Sequence, residues 1–530
     1  EETAYMNLDT FVLHKEERKG KAATQVTFDE DYNLPDYKPD VSAIICKQGN
    51  VRVEEVKVTK GHVSVKGLLK FEILYRGGMS ETGISYLEST FPFQETVAVD
   101  EAQEFDTALV NCQLEDLSVH ITNSRKLAVR ALMDLEVTVF SFAREEFPQA
   151  KENSQQIPVQ NIRQTFLELK GQGRDQCRVH EEAELPANKA NIQEILWKQM
   201  QPQGMRARAD DGVLHIQGDL QIFVLYSVES GGRIEWYETR MPINCRLDVA
   251  EAAPEDICYA WIDAREWNLQ AQEDLEGENR LLAIDGTLRV DYRLYEEQQR
   301  DMLQDLYALD RRLLPKQRQV PMETLLLKNA TRCKINDVLS LERGQKDVLQ
   351  MCSCCGQIQI DHCSVEDGGI LVEGAVQVLI LYFTREDQTP LDAVEGVLPF
   401  SQRVDVPGIQ KGYRYELTAN MELMSAMMKD NSTFEVQAVA DLDVIVFKPK
   451  QIMCIEQVEE MPLNMEELLE QPGMTGIRTE EGDTLWKIAK ENHTTVEKIQ
   501  QTNDLPPEPV PVGTSILLLK QVEMTTGVTG

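Results

Sequence analysis

Five residues within a dozen positions carry the donor chemistry of a zinc site. Cys352, Cys354 and Cys355 are followed by His362 and Cys363, and thiolate with imidazole is a donor set that tetrahedral zinc takes. Other chemistry-bearing patterns do not occur: there is no GxxxxGK[ST], no GxSxG and no HExxH. The seven histidines are scattered, and no pair of carboxylates is set apart by its spacing. Neither a catalytic residue nor a cofactor is expected. Whether the cysteines hold a metal depends on the elements that position them.

Those elements repeat. In GHVSVKGLLKFEILY (61–75), Val63, Val65, Leu69, Phe71, Ile73 and Tyr75 fall on alternate positions with Ser64, Lys66, Lys70 and Glu72 between them. Period-2 alternation of this kind is a half-buried strand. Gly67 stands where the inner face would carry a side chain, which reads as a kink, a bulge or a close backbone approach. The pattern returns around Gly218 and Gly374, and in each copy a Tyr (Tyr75, Tyr226, Tyr382) lies eight residues after the Gly. Asp40, Asn191 and Asp347 precede the glycines by 27 residues, and Leu34, Leu185 and Leu341 stand six residues earlier still. Pro92, Pro242 and Pro399 follow the tyrosines at matching distances. A period near 150 residues is too long for a solenoid unit and means one domain fold used three times in tandem. In this register Cys352 corresponds to Ile45 and Cys363 to Val56. Two of the thiols therefore occupy apolar positions, where free Cys behaves as a small buried hydrophobe, and no metal site is expected.

The net charge of −35 argues against nucleic acid, whose backbone is bound by neutralising phosphates with Lys and Arg. No run approaches the ~18 apolar residues of a membrane span, and no basic-then-apolar signal segment is seen at the start. Eleven scattered cysteines do not make a disulfide framework, so a reducing cytosol is the simplest setting.

The expected organisation is a first repeat over 1–145, a second over 160–296, a third over 328–450, an acidic linker over 451–476 and a small C-terminal domain over 477–520. Within the first repeat, 10–13 and 25–28 read as two short strands. Helical spacing at Ile192, Ile195, Leu196 and Met200, matched by Val41, Ile44 and Ile45, predicts a short helix or turn. Met302, Leu303, Leu306, Leu309 and Leu313 predict an amphipathic helical connector, and the polar, proline-containing stretch 144–160 predicts a linker. The fold class expected is mainly β with some α (α+β).

The C-terminal segment reads strand, helix, helix, strand. Asp483 or Thr484 can cap a helix whose Leu485, Ile488 and Ala489 share one face, and a second helix closes at Asn503. This βααβ segment resembles the LysM domain through Gly482, Asp483, Thr484 and Leu485, then Ile488-Ala489, Asn503-x-Leu505 and Gly513-x-x-Ile516. Ile477 and Thr479 stand where that family carries an aromatic residue and a valine, and the loop before the last strand is enlarged by prolines. The resemblance implies a shallow groove for N-acetylglucosamine-containing glycan. Gly482, Asp483, Thr484, Leu485, Asn503, Asp504 and Leu505 would line it, with Pro511 and Gly513 at its edge. Trp486 sits one place off the apolar face; it reads either as an exposed aromatic anchor or as a ring packed over its own core. The three repeats resemble the SPOCS domain. Three SPOCS copies followed by a LysM domain resemble the SipL-type family of clostridial spore-coat morphogenetic proteins. That resemblance implies a non-enzymatic adaptor in the mother-cell cytoplasm, at the forespore surface and in the spore coat. Its LysM domain would dock onto the coat basement-layer ATPase (stage IV sporulation protein A). The alternative is a cell-wall protein that binds peptidoglycan.

Overall fold

In each repeat the alternating strand is the middle strand of a three-stranded antiparallel sheet. In the first repeat β4 (His62–Gly77) lies between β3 (Val41–Thr59) and β5 (Ile84–Ala98). In the second, β10 (Val213–Val228) lies between β9 (Ile192–Asp210) and β11 (Ile234–Asp248). In the third, β16 (Gly369–Thr384) lies between β15 (Val348–Glu366) and β17 (Leu391–Asp405). The computed structural model describes residues 4–77, 82–149, 157–229, 232–462, 472–505 and 510–519. The inner face of each sheet packs on a second sheet, of three strands in the first two repeats and of four in the third, where the short β1 (Ala4–Tyr5) joins the far end of the middle strand. These are β2 (Asp9–Asn33), β7 (Lys126–Gln149) and β6 (Thr107–Asn123); β8 (Val159–Glu184), β13 (Asn279–Leu306) and β12 (Ile257–Glu273); and β14 (Arg311–Ser340), β19 (Thr433–Pro462) and β18 (Arg414–Asp430), the middle strand given second. Three sandwiches with separate apolar cores result.

The repeated sequence signals have direct structural causes. A Cβ on Gly67 would strike the Arg52 carbonyl and the Phe93 ring, and one on Gly374 would strike the Gln359 carbonyl; both are close backbone approaches. Pro92, Pro242 and Pro399 lie on β5, β11 and β17, edge strands on which a missing N–H is tolerated. The Leu-Pro and Asp/Asn signals are two ends of one capped loop. The Arg125 guanidinium donates to the carbonyls of Lys38 (2.6 Å) and Pro35 (2.8 Å) and to Asp40 (3.2 Å). Arg280 does the same for Lys189 (2.8 Å), Pro186 (2.7 Å) and Asn191 (2.8 Å). In the third repeat the Asn431 amide donates to Asp347 at 3.0 Å.

The class is mainly β rather than α+β, because the α expected within the repeats is strand. Residues 41–45 and 192–200 belong to β3 and β9. Both strands carry two β-bulges three residues apart, at Ser42 and Ile45 and at Gln193 and Leu196. An extra residue shifts the side-chain phase, so period 2 comes to look like helical spacing. The expected connector at 302–313 is the end of β13 and the start of β14, with Met302 and Leu303 buried in different apolar clusters. The two short strands at 10–13 and 25–28 are parts of the single strand β2. The expected linkers are also partly strand: β7 continues to Gln149 and β19 to Pro462, while 150–156 and 463–471 lie outside the described residues.

The three sandwiches form one body around a common axis. Leu74, Leu225 and Leu381, on the outer face of the three middle strands, are all 0 % exposed. They meet in one apolar cluster with the bulge residues Ile45, Leu196 and Cys352. The contacts between repeats run round a ring. Asn50 of β3 donates to the Arg265 carbonyl of β12 at 2.9 Å, and Arg52 pairs with Glu266 at 3.0 Å. Arg206 of β9 pairs with Asp441 of β19, and Gln377 of β16 donates to the Glu115 carbonyl of β6 at 3.1 Å. Beyond the sandwiches β2/β7, β8/β13 and β14/β19 continue as ribbons, the third edged by β1, which pack together through Leu13, Phe147, Phe166, Met302, Val320 and Ile452. Where ribbons leave sandwiches, Glu16 of the first repeat is buried between Arg293 of the second and Arg414 of the third. There it also accepts the Tyr295 hydroxyl at 2.7 Å.

Candidate functional site

The C-terminal module is built as its pattern requires. β20 (Met474–Arg478) pairs with β21 (Ser515–Leu519), and α1 (Leu485–Glu491) and α2 (Val496–Asn503) lie between them. Thr484, rather than Asp483, is the first cap: its hydroxyl accepts the Lys487 N–H at 3.1 Å. The left-handed residue closing α2 is Asp504 (φ 50°), one place beyond the expected Asn503. Leu485, Ile488, Ala489, Ile499, Ile516 and Leu518 form the core.

The groove loops are held against each other by Thr479. This residue is 5 % exposed; its hydroxyl donates to the Pro511 carbonyl at 2.8 Å and accepts the Thr514 N–H at 3.0 Å. The Gly513 N–H donates to the Thr479 carbonyl at 2.8 Å. A valine could not make the two hydroxyl bonds, which gives the departure at this position a structural purpose. Gly482 (φ +90°) and Gly513 (φ +86°) both need the left-handed conformation that glycine tolerates. Asp483 accepts the Glu480 N–H at 2.9 Å and lies 3.4 Å from the Lys487 ammonium. The Glu480 N–H first, then Lys487 against an opposing effect of burial, hold its carboxyl below the ordinary carboxylate range.

Of the expected lining residues, Gly482, Thr484, Asp504 and Pro511 are exposed, while Asp483, Leu505 and Gly513 are half-buried. Two are not available to a ligand. Leu485 is 0 % exposed and belongs to the core. The Asn503 amide is used internally: it donates to the Ile499 and Leu517 carbonyls, both at 2.8 Å, and accepts the Leu517 N–H at 2.6 Å. Trp486 is half-buried against the module's own core, as the second reading has it, and it also reaches outside the module. Its indole N–H donates at 2.8 Å to Asp305, at the end of β13, and its ring stands edge-on to Tyr307 with centroids 4.9 Å apart. Asp305 and Tyr307 had no sequence signal tying them to a helix some 180 residues away.

The repeats line a half-open cavity of about 2160 Å³ along the common axis, with residues from all three of them. It runs from Lys47, Lys198 and Cys355 beside the axial apolar cluster to Tyr259 and Glu416 beside the Glu16 pair. Several of its charges hold neighbours together, as in Lys47 with Glu395 (2.7 Å) and Arg289 with Glu266 (3.0 Å).

The cysteines of the 352–363 stretch are dispersed by β15. Cys352 enters the axial cluster, Cys354 and Cys363 pack on the third sandwich core, and Cys355 accepts the Gln199 amide. Among the described residues no three His, Cys, Asp or Glu side chains are gathered as a metal would need. Burial pushes the Cys352 and Cys355 thiols up to about 12 and Cys363 to about 11, far from the thiolate that reacts or ligates. Of the eleven cysteines, Cys177 of β8 and Cys245 of β11 are joined as a disulfide between the two sheets of the second sandwich.

The SipL SPOCS domain family matches residues 40–122, 191–271 and 347–429, and the LysM domain family matches 477–518. No match was found among curated proteins or among solved structures. SPOCS and LysM are binding domains without catalytic machinery of their own, and no helix among the described residues is long and apolar enough to cross a membrane. The matched segments span more than half of the chain and begin at the capped Asp40, Asn191 and Asp347 loops or next to them. With three SPOCS domains followed by one LysM domain, the chain belongs to the sporulation-related SipL-type family.

Proposed function

We propose that the protein is a non-enzymatic adaptor in endospore coat assembly, acting in the mother-cell cytoplasm at the forespore surface. In this reading the three SPOCS domains are the body and the LysM domain docks onto the coat basement-layer ATPase, stage IV sporulation protein A. The observation that carries it is the architecture: three binding domains closed into one body, with a single LysM module at the end of its ribbons. The ion pairs that cross the cavity lining and the dispersed thiols also fit a scaffold better than a reaction vessel.

The exposed turn at Gly482 and the exposed Pro511 favour a second reading, in which the groove takes peptidoglycan. Deleting 474–530 separates the two. Coat reading: the deletion abolishes capture of the purified ATPase, and intact chain does not sediment with peptidoglycan. Retained ATPase capture by the deleted chain, with sedimentation only of the intact one, would establish the cell-wall reading instead.

A further inference from the structure

The LysM module is seated on the body through one side of α1. Trp486 and Lys490, four residues apart, share a face of the helix, and the Thr494 carbonyl lies just past its end. All three meet the turn between β13 and β14. The Trp486 indole N–H (2.8 Å) and the Lys490 ammonium (2.6 and 2.8 Å) converge on the Asp305 carboxylate. Two residues on, the Tyr307 ring lies edge-on to the indole, and its hydroxyl donates to the Thr494 carbonyl at 2.8 Å. Tyr307 is 4 % exposed and packs with the module's own core. Burial, then Glu497 and Asp305, push its phenol up, so it stays a hydrogen-bond donor at any ordinary pH.

This face has the chemistry of a receptor. One neutral and one charged donor are aimed at a single carboxylate, and a flat ring beside them accepts an aromatic side chain two positions further along. We propose that the α1 face of the LysM module recognises an acid-x-aromatic protein segment. Asp305 and Tyr307 occupy it in cis, with Leu306 between them turned into the body's own core, and the same motif on a partner protein takes it over in trans. The inference concerns the chemistry recognised and stands apart from the identity of the coat partner.

The seat is suited to exchange. The Asp305 and Lys490 side chains keep 24 % and 34 % of their exposure, so water and salt screen their attraction. The occupant is one turn, and the chain leaves the body at Pro462, opposite Arg311 at the start of β14. Joined within one chain, the cis contact is intramolecular and has an effective concentration that a partner must match. A segment in trans competes with that concentration, and its apparent affinity falls by the fraction of modules that are unseated.

The test uses the whole chain and a fluorescently labelled peptide of residues 302–310. Asp305→Ala/Tyr307→Ala is expected to bind the peptide at least tenfold more tightly than wild type, and adding Lys490→Ala should remove that gain. Fluorine NMR of 5-fluorotryptophan protein should show the Trp486 resonance, assigned by Trp486→Phe, moving in the vacated variant and returning when peptide is added. Equal binding by wild type and vacated chain would overturn the proposal. So would a gain that survives Lys490→Ala, or a Trp486 resonance indifferent to Asp305. If the double variant unfolds, Asp305→Asn removes the charge while keeping the shape and must give the same ordering. Failure of the intact chain to capture the ATPase, with peptide exchange intact, would remove the coat reading alone.

Discussion

Replacing Glu16 by Leu tests whether the three repeats unfold as one body. The Glu16 side chain is 1 % exposed and belongs to the first repeat, yet it pairs with Arg293 of the second and Arg414 of the third. Arg414 would keep Glu323 at 2.7 Å and Glu416 at 3.4 Å. Arg293 would be left against the Phe140 ring, 4.3 Å away, as a guanidinium that cannot shed its charge. Breaking a buried pair by removing one partner costs about 3–5 kcal/mol. The fluorescence readout is favourable, because four of the five tryptophans lie in the second repeat and none in the first. Urea unfolding followed by tryptophan fluorescence should therefore register, in the second repeat, a substitution made in the first. A tryptophan transition within about 1 kcal/mol of wild type, while circular dichroism shows the first repeat already lost, would refute the coupling. Adding Arg293→Met should recover most of the loss, since no charge is then left unpaired.

Phe71 is 0 % exposed and lies between the rings of Tyr32 and Phe91, each 5.4 Å away. Phe71→Ala should cost about 3–5 kcal/mol, and a loss below about 1 kcal/mol would mean that the site refills. His180 lies 2.7 Å from Asp285 across β8 and β13, and that contact raises its pKa above the ordinary 6.5. A raised folded value means that the pair's contribution is fully present below 6.5 and fades as pH rises through the folded value. Proton NMR titration should show a midpoint above 6.5 that returns to it in Asp285→Asn; an unmoved midpoint in the variant would reject the assignment.

The inner half of each sandwich was legible because its residues obey one rule. Val63 to Tyr75 alternate, Gly67 marks a backbone contact, and the spacing recurs twice. The outer half was not, because it obeys two rules at once. At Leu74 in ILY, and in the runs IFVLY and LILYF, the strand becomes apolar on both faces, the mark of a strand buried on both sides. Read as the end of a half-buried strand, those residues give no hint that three sheets meet there. The bulges at Ile45 and Leu196 hid the same junction by imitating helical spacing. The ribbon ends hid likewise: Met302, Leu303 and Leu306 are apolar on both faces, and the shift between Leu303 and Asp305 breaks their period. In the LysM module the helices and the capping were readable locally. The seat for Trp486 was not, since its other half lies on the turn after β13 and only the fold brings them together.

The ring around the axis also determines valency. Phe140, Tyr295 and Phe447 occupy matching places in the three repeats, opposite Thr107, Ile257 and Arg414. The Glu16 position is filled by Leu167 in the second repeat and Glu323 in the third, by the same register. Three identical chains meeting on such an axis would bring three copies of every side chain together, including three buried glutamates or three buried arginines. They would also carry three LysM modules. Covalent linkage of the repeats permits one acid to answer two bases at the centre and leaves a single module at the end. The three linked repeats therefore carry one LysM module between them, a third of what three separate chains on the same axis would present.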